Sequence, residues 1–258
     1  MRASSIGEGT TGRVHYEAVS TPTLDHIAIA AARLSDAPPF LVGVLGGVPA
    51  YGASSKAFSF GHWRFAGGGR LEVLEPRGDD GFLHRHLAQR GPGIHHVTFK
   101  VPSVRETCDR AEAHGYKIVG YDDSDPRWME AFLHPKQALG IVVQMAESRV
   151  KDPSLKHWQP PAGPADAPPA VRLVGLRMRA RSRERADAQW VEVLGGTIAE
   201  SFDARVVYRW PRAPLGITVE IDPAADEGPV AIEFDSERDV PLPPVPDPRL
   251  GTVFARVG

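Results

Sequence analysis

The chain has 258 residues, 42% of them hydrophobic, and 30 Lys and Arg against 32 Asp and Glu give a formal net charge of -2, with an isoelectric point near 6.6. These values fit a folded globular chain of one large domain or two ordinary ones, and the absence of a dense Lys/Arg block argues against a nucleic-acid surface. One cysteine, Cys108, leaves no internal disulfide framework, and no apolar run reaches membrane-spanning length, so a cytoplasmic protein with no membrane partner is expected.

In chain order, residues 1–20 have no apolar signal-peptide core after their basic residue and read as a polar arm. "LDHIAIAA" (24–31) is strand-like, a helix-compatible run ends in "FLVGVLGG" (40–47), and "RLEVLEP" (70–76) is again extended. "GIHHVTFKV" (93–101) alternates as a strand does. The run "SVRETCDRAEAHGYK" that follows predicts a helix with Val104, Cys108, Ala111 and Ala113 as its apolar stripe and Gly115 as its stop. "GIVVQMAE" (140–147) closes this half. "HWQPPAGPADAPPA" (157–170) carries no apolar periodicity, so 151–170 is read as a Pro/Ala-rich linker between a region at 21–150 and a second at 171–258.

The elements repeat. "FLVGVLGG" returns as "WVEVLGG" (190–196), "LDHIAIAA" as "LVGLRMRA" (173–180), and "RLEVLEP" as "GITVEIDP" (216–223). A shorter repeat relates "LDHIAIA" to "IHHVTFK" within the first half. The pattern is strand, helix, then about three strands, twice in the first half and once in the second, with "RLGTVFARVG" (249–258) as a further opening strand. This predicts an α+β fold with helices on one face of a curved sheet. His26 aligns with Gly175, Glu72 with Val219 and His96 with Thr252, so the second half is expected to be a truncated copy without a metal.

Four positions match between the two units of the first half: His26 and His96 in the opening strands, Glu72 and Gln144 in the closing ones. Two imidazoles, a carboxylate and an amide oxygen brought together by a pseudo-twofold suit one divalent cation. Strict strand alternation puts His95 on the opposite face from His96, so replacing His95 is expected to leave metal binding intact.

These residues resemble the vicinal oxygen chelate superfamily, which includes glyoxalase I, extradiol dioxygenases, fosfomycin-resistance proteins and methylmalonyl-CoA epimerase. The likeness is greatest to the epimerase, through "LDHIAIA", "LEVLEPRGDDGFLHRHLAQRGPGIHHVTFKV" and "AFLHPKQALGIVVQM". It implies paired βαβββ modules cupped around a divalent metal (Zn, Co, Ni, Mn, Fe or Mg) on His26, Glu72, His96 and Gln144. The order of carboxylate and amide is reversed from the epimerase pattern, and residues 52–70, between Tyr51 and Leu71, contain no Asp or Glu, leaving His62 as the near-neutral acid/base candidate there. The resemblance implies proton transfer next to a carbonyl through a metal-stabilised enolate, with Glu72 or His62 as base and an acyl-CoA or another small carbonyl compound as substrate. The chain is then a monomer of pseudo-dimer architecture or a homodimer. The other reading is a non-catalytic small-molecule binding or resistance protein using the same cup.

Overall fold

The computed structural model describes residues 20–148, 158–243 and 245–257. Most of the polar arm and residues 151–157 of the linker lie outside the described residues. Alternating apolar runs build two sheets, because a strand that buries every second side chain needs a partner layer. The first sheet contains β1 (Thr23–Ala30), β2 (Val48–Ser54), β3 (Phe58–Arg64), β4 (Arg70–Pro76), β5 (Gly93–Lys100), β6 (Ile118–Asp122), β7 (Trp128–Leu133) and β8 (Val142–Ser148), in the order β2-β3-β4-β1-β5-β8-β7-β6. At its centre β1 and β5 run antiparallel, and each lies parallel to the closing strand of its own unit, β4 or β8. That arrangement is the pseudo-twofold expected from the repeat.

The second sheet holds β9 (Arg172–Ala180), β10 (Thr197–Phe202), β11 (Arg205–Arg209), β12 (Gly216–Ile221), β13 (Gly228–Asp235) and β14 (Phe254–Arg256), in the order β10-β11-β12-β9-β13-β14. This reproduces the first six places of the other sheet. The strand in the place of β5 is therefore β13, and not 249–258; β14 takes the place of β8, parallel to its neighbour. Register likewise sets Thr218, not Val219, in the place of Glu72, because Thr218 stands opposite Arg177 as Glu72 stands opposite Ala28.

Among the described residues, four α-helices connect the strands: α1 (Pro38–Leu41), α2 (Phe82–Arg90), α3 (Val104–Ala113) and α4 (Arg183–Asp187), the last running into a π turn at Ala188–Val193. Ser103 caps α3 by accepting from the Glu106 amide at 3.2 Å, and Glu147 from β8 accepts the Val104 amide at 3.1 Å. The buried stripe of α3 is Val104, Thr107, Cys108 and Ala111, while Ala113 is exposed, since it falls off the i, i+3, i+4 face.

One apolar core joins the sheets. Ile27, Ile29, Val97 and Phe99 from the first share it with Leu176, Met178, Ile217 and Phe234 from the second, and the helix residues Leu41, Cys108 and Trp190 belong to it. Phe99 makes the crossing, 4.8 Å from the Trp210 ring and 6.0 Å from that of Trp190. On the other face of the first sheet, α2 sets Leu83 against Ala28, Ala30 and Leu74. The rest of that face is open and forms a cup.

Candidate metal centre

The cup is a cavity of about 2010 Å³. His26, His62, Glu72 and His96 are all buried in its wall, with exposures of 7% or less. Glu72 stands at the centre: its Oε2 is 2.9 Å from His62 Nε2 and 3.7 Å from His26 Nε2, and its Oε1 is 3.7 Å from His96 Nε2. Ligand atoms of His26, Glu72 and His96 lie within 4.8 Å of one another, and no other such group of His, Cys, Asp or Glu occurs among the described residues.

These side chains fit a divalent cation. His26 Nε2 is buried without a hydrogen-bond partner, a costly state for a polar atom. Ligand atoms about 2.1 Å from one cation stand roughly 3.0–3.4 Å apart at octahedral to tetrahedral angles, close to the two 3.7 Å separations. Burial alone would raise the Glu72 carboxyl, but the surrounding imidazoles of His26, His62 and His96 hold it down at about 2. Burial pushes His62 down and His96 well down, which favours the neutral, coordinating form of each ring.

Both histidines of the expected ligand set follow a β-bulge. In the β1–β5 ladder Leu24 pairs with Phe99 and His26 with Thr98, leaving Asp25 as the extra residue; Ala28 pairs with His96 and Ile29 with Ile94, leaving His95 as the other. A bulge cancels one step of alternation, so His95 and His96 share a side and both line the cavity. This corrects the expectation that His95 faces away. Its Nδ1 is 2.9 Å from His96 Nδ1. Asp25 Oδ2 lies 2.7 Å from His26 Nδ1, and Arg70 donates to the same carboxylate. Burial would raise Asp25, but His26 and Arg70 hold it well below the usual carboxylate range.

Gln144 lines the same cavity from β8, opposite Thr98. Its Oε1 accepts from Thr98 Oγ1 at 2.6 Å, and its Nε2 donates to Glu130 Oε2 at 2.7 Å. Glu130, on the middle strand β7, also accepts from Trp128 Nε1 at 2.9 Å. His62, on β3, stacks on Tyr51 with centroids 4.5 Å apart, and its Nδ1 is buried without a hydrogen-bond partner. Sequence reasoning missed Asp25 and Glu130. Asp25 was signalled by the repeat that sets "LDH" against "IHH", and Glu130 by the pseudo-twofold, which makes β7 the counterpart of β3.

In the second sheet the matching positions carry no such cluster. Thr218 donates to Glu233 at 2.9 Å, and Arg177 Nε is 3.6 Å from the same carboxylate.

Fold and cluster together define a cupped-sheet protein with a candidate metal centre. Residues 25–132 match the family model of the Glyoxalase/Bleomycin resistance protein/Dioxygenase superfamily. The chain is 28% identical over 132 residues to the uncharacterized protein YqjC of Bacillus subtilis, a match spanning 49% of this chain and 92% of that protein. Among solved structures it is similar to a variant of 4-hydroxymandelate synthase from Streptomyces coelicolor, with a TM-score of 0.59 and 17% identity, covering 84% of this chain and 72% of that one. It is also similar to the Mn(II)-bound glyoxalase from Novosphingobium aromaticivorans, with a TM-score of 0.52 and 11% identity, covering 83% and 65%. These two likenesses concern the fold.

Proposed function

We propose that the protein is a metal-dependent enzyme that moves a proton next to a substrate carbonyl. The observation that carries this reading is the buried His26–Glu72–His96 cluster in the cup wall, with His26 Nε2 unpartnered. His26, Glu72 and His96 would hold one divalent cation, and Gln144 would join them once its Oε1 exchanges the Thr98 hydroxyl for the ion. When bound, the cation supplies Lewis acidity toward a substrate oxygen.

The chain's own groups supply the proton chemistry. His62 is neutral near pH 7 because burial lowers it, and its free Nδ1 suits a base. Glu72 is the alternative base, a role it would take when not holding the ion. Glu130 stands on β7, on the other flank of the central strand pair from His62 on β3. A carboxylate on one flank and an imidazole on the other is the arrangement an epimerase or isomerase needs; a glyoxalase-like lyase would use one of them. Arg90 and Lys136 at the cavity wall suit the anionic groups of a long substrate such as an acyl-CoA.

The test is metal content followed by exchange. Purified protein should bind one divalent ion per chain, and His96→Ala should abolish that binding. In heavy water, a panel of acyl-CoA and α-hydroxy carbonyl compounds should yield one that exchanges its α-proton. Glu72→Gln should keep weakened metal binding yet slow exchange at least about 100-fold if Glu72 is the base; unchanged exchange in that variant assigns the role to His62. No exchange over the panel, with tight binding of an apolar ligand by metal-free protein against Tyr51, Phe60 and Phe132, would overturn the enzyme reading in favour of a binding protein.

A further inference from the structure

We infer that His95 is a positioning residue for His96: its Nδ1 accepts the Nδ1–H of His96 and fixes the tautomer that turns the His96 Nε2 lone pair toward the cation, as Asp25 does for His26. This rests on the proposed metal site.

Three observations converge. First, the two contacts are counterparts. Asp25 and His95 are the bulged residues directly before His26 and His96, and each reaches the Nδ1 of the ring that follows, at 2.7 and 2.9 Å. Second, both Nε2 atoms point the other way, 3.7 Å from the two oxygens of Glu72. A ring whose Nδ1 donates has its lone pair on Nε2, where a cation between the rings would be met. Two adjacent Nδ1 atoms at 2.9 Å require that one donate and the other accept. With His96 as donor, His95 carries its own proton on Nε2.

Third, the second sheet is an internal control. Its β9–β13 ladder has bulges at Val174 and Val230, with Gly175 and Ala231 following them and the same three paired positions between. The bulges therefore belong to the fold and persist without a metal cluster. What differs is chemistry: the bulged residue is polar where an imidazole follows it, and valine where none does. The His95 ring is held in place by α2, with the His86 centroid 4.8 Å away and the Phe82 centroid 5.7 Å away.

Cobalt(II) serves as the probe, its visible absorption band reporting both affinity and ligand geometry. His95→Leu should weaken Co(II) binding about 10–100-fold, the range typical of a lost partner behind a ligand, and should alter the band. His95→Asn, a neutral acceptor of similar reach, should restore most of the affinity, which neither charge nor packing explains. Equal binding by His95→Leu and wild type, or equal weakening by Leu and Asn, would overturn the assignment. Should His95→Leu fail to fold, 15N shifts of wild-type metal-free protein decide instead: His96 protonated on Nδ1 supports the inference, and His96 protonated on Nε2 overturns it. Binding that is unchanged in His96→Ala would show that the metal site itself is wrong; binding that needs His96 but ignores His95 would sink this inference alone.

Discussion

A carboxylate ringed by three imidazoles differs from an exposed one. Glu72, held at about 2, stays ionised at neutral pH and would supply the negative charge opposing a cation held there. Among nucleophiles the reverse holds for Cys108. Burial and the nearby Glu112 and Asp109 push its thiol up to about 11, so at pH 7.5 well under one molecule in a thousand carries the reactive thiolate. Its reaction with a disulfide reagent should be at least about tenfold slower in native protein than in denaturant; equal rates would show that the thiol is neither buried nor raised. At this scale much of the site was legible in the sequence: His26, Glu72, His96 and His62 do meet. The face of His95 was not, because a bulge is a property of two strands read together, and alternation along one of them cannot reveal it.

Elements were legible where period and repeat agreed, as in β1, β5, β8 and α3. The helix α2 was not, since "FLHRHLAQR" has only Phe82, Leu83, Leu87 and Ala88 as apolar residues and of these only Leu83 is buried. The tail was misread for a related reason: "VAIEFD" within β13 matches the opening-strand pattern as well as 249–258 does, and only pairing distinguishes them. The segment 247–252 instead forms a bridged turn whose Gly251 has φ +56, and a Cβ there would lie 1.8 Å from the Pro92 carbonyl oxygen. Pro92 directly precedes β5. Gly251→Ala should therefore cost about 1–3 kcal/mol, through left-handed backbone and a backbone clash together, seen as a lower denaturant midpoint. A midpoint equal to wild type would mean that the turn does not hold the start of β5.

Over the whole molecule, the described residues of the second half contribute no ligand to the cluster, yet that half is no appendage. Its sheet completes the core behind the cluster, and Phe99, directly after Thr98, is buried at that seam. The strap leading into it also packs on the first sheet: Trp158 and Gly52 exchange backbone hydrogen bonds of 2.7 and 3.1 Å, and Pro160 meets Gly61. The match to YqjC takes in 49% of this chain and 92% of that protein, so a relative of about half this length exists. Here the shared core predicts that the sheets unfold together. Calorimetry should give one transition with van't Hoff and calorimetric enthalpies in agreement. Phe99→Ala, costing about 3–5 kcal/mol as a buried aromatic truncation, should lower that one transition as a unit, because the ring touches both halves. A divalent ion should raise it as a unit, by binding only the folded chain. Two separated transitions, with the ion or the Phe99 substitution moving only the first, would mean that the halves fold independently and that the second sheet merely shields an autonomous cup.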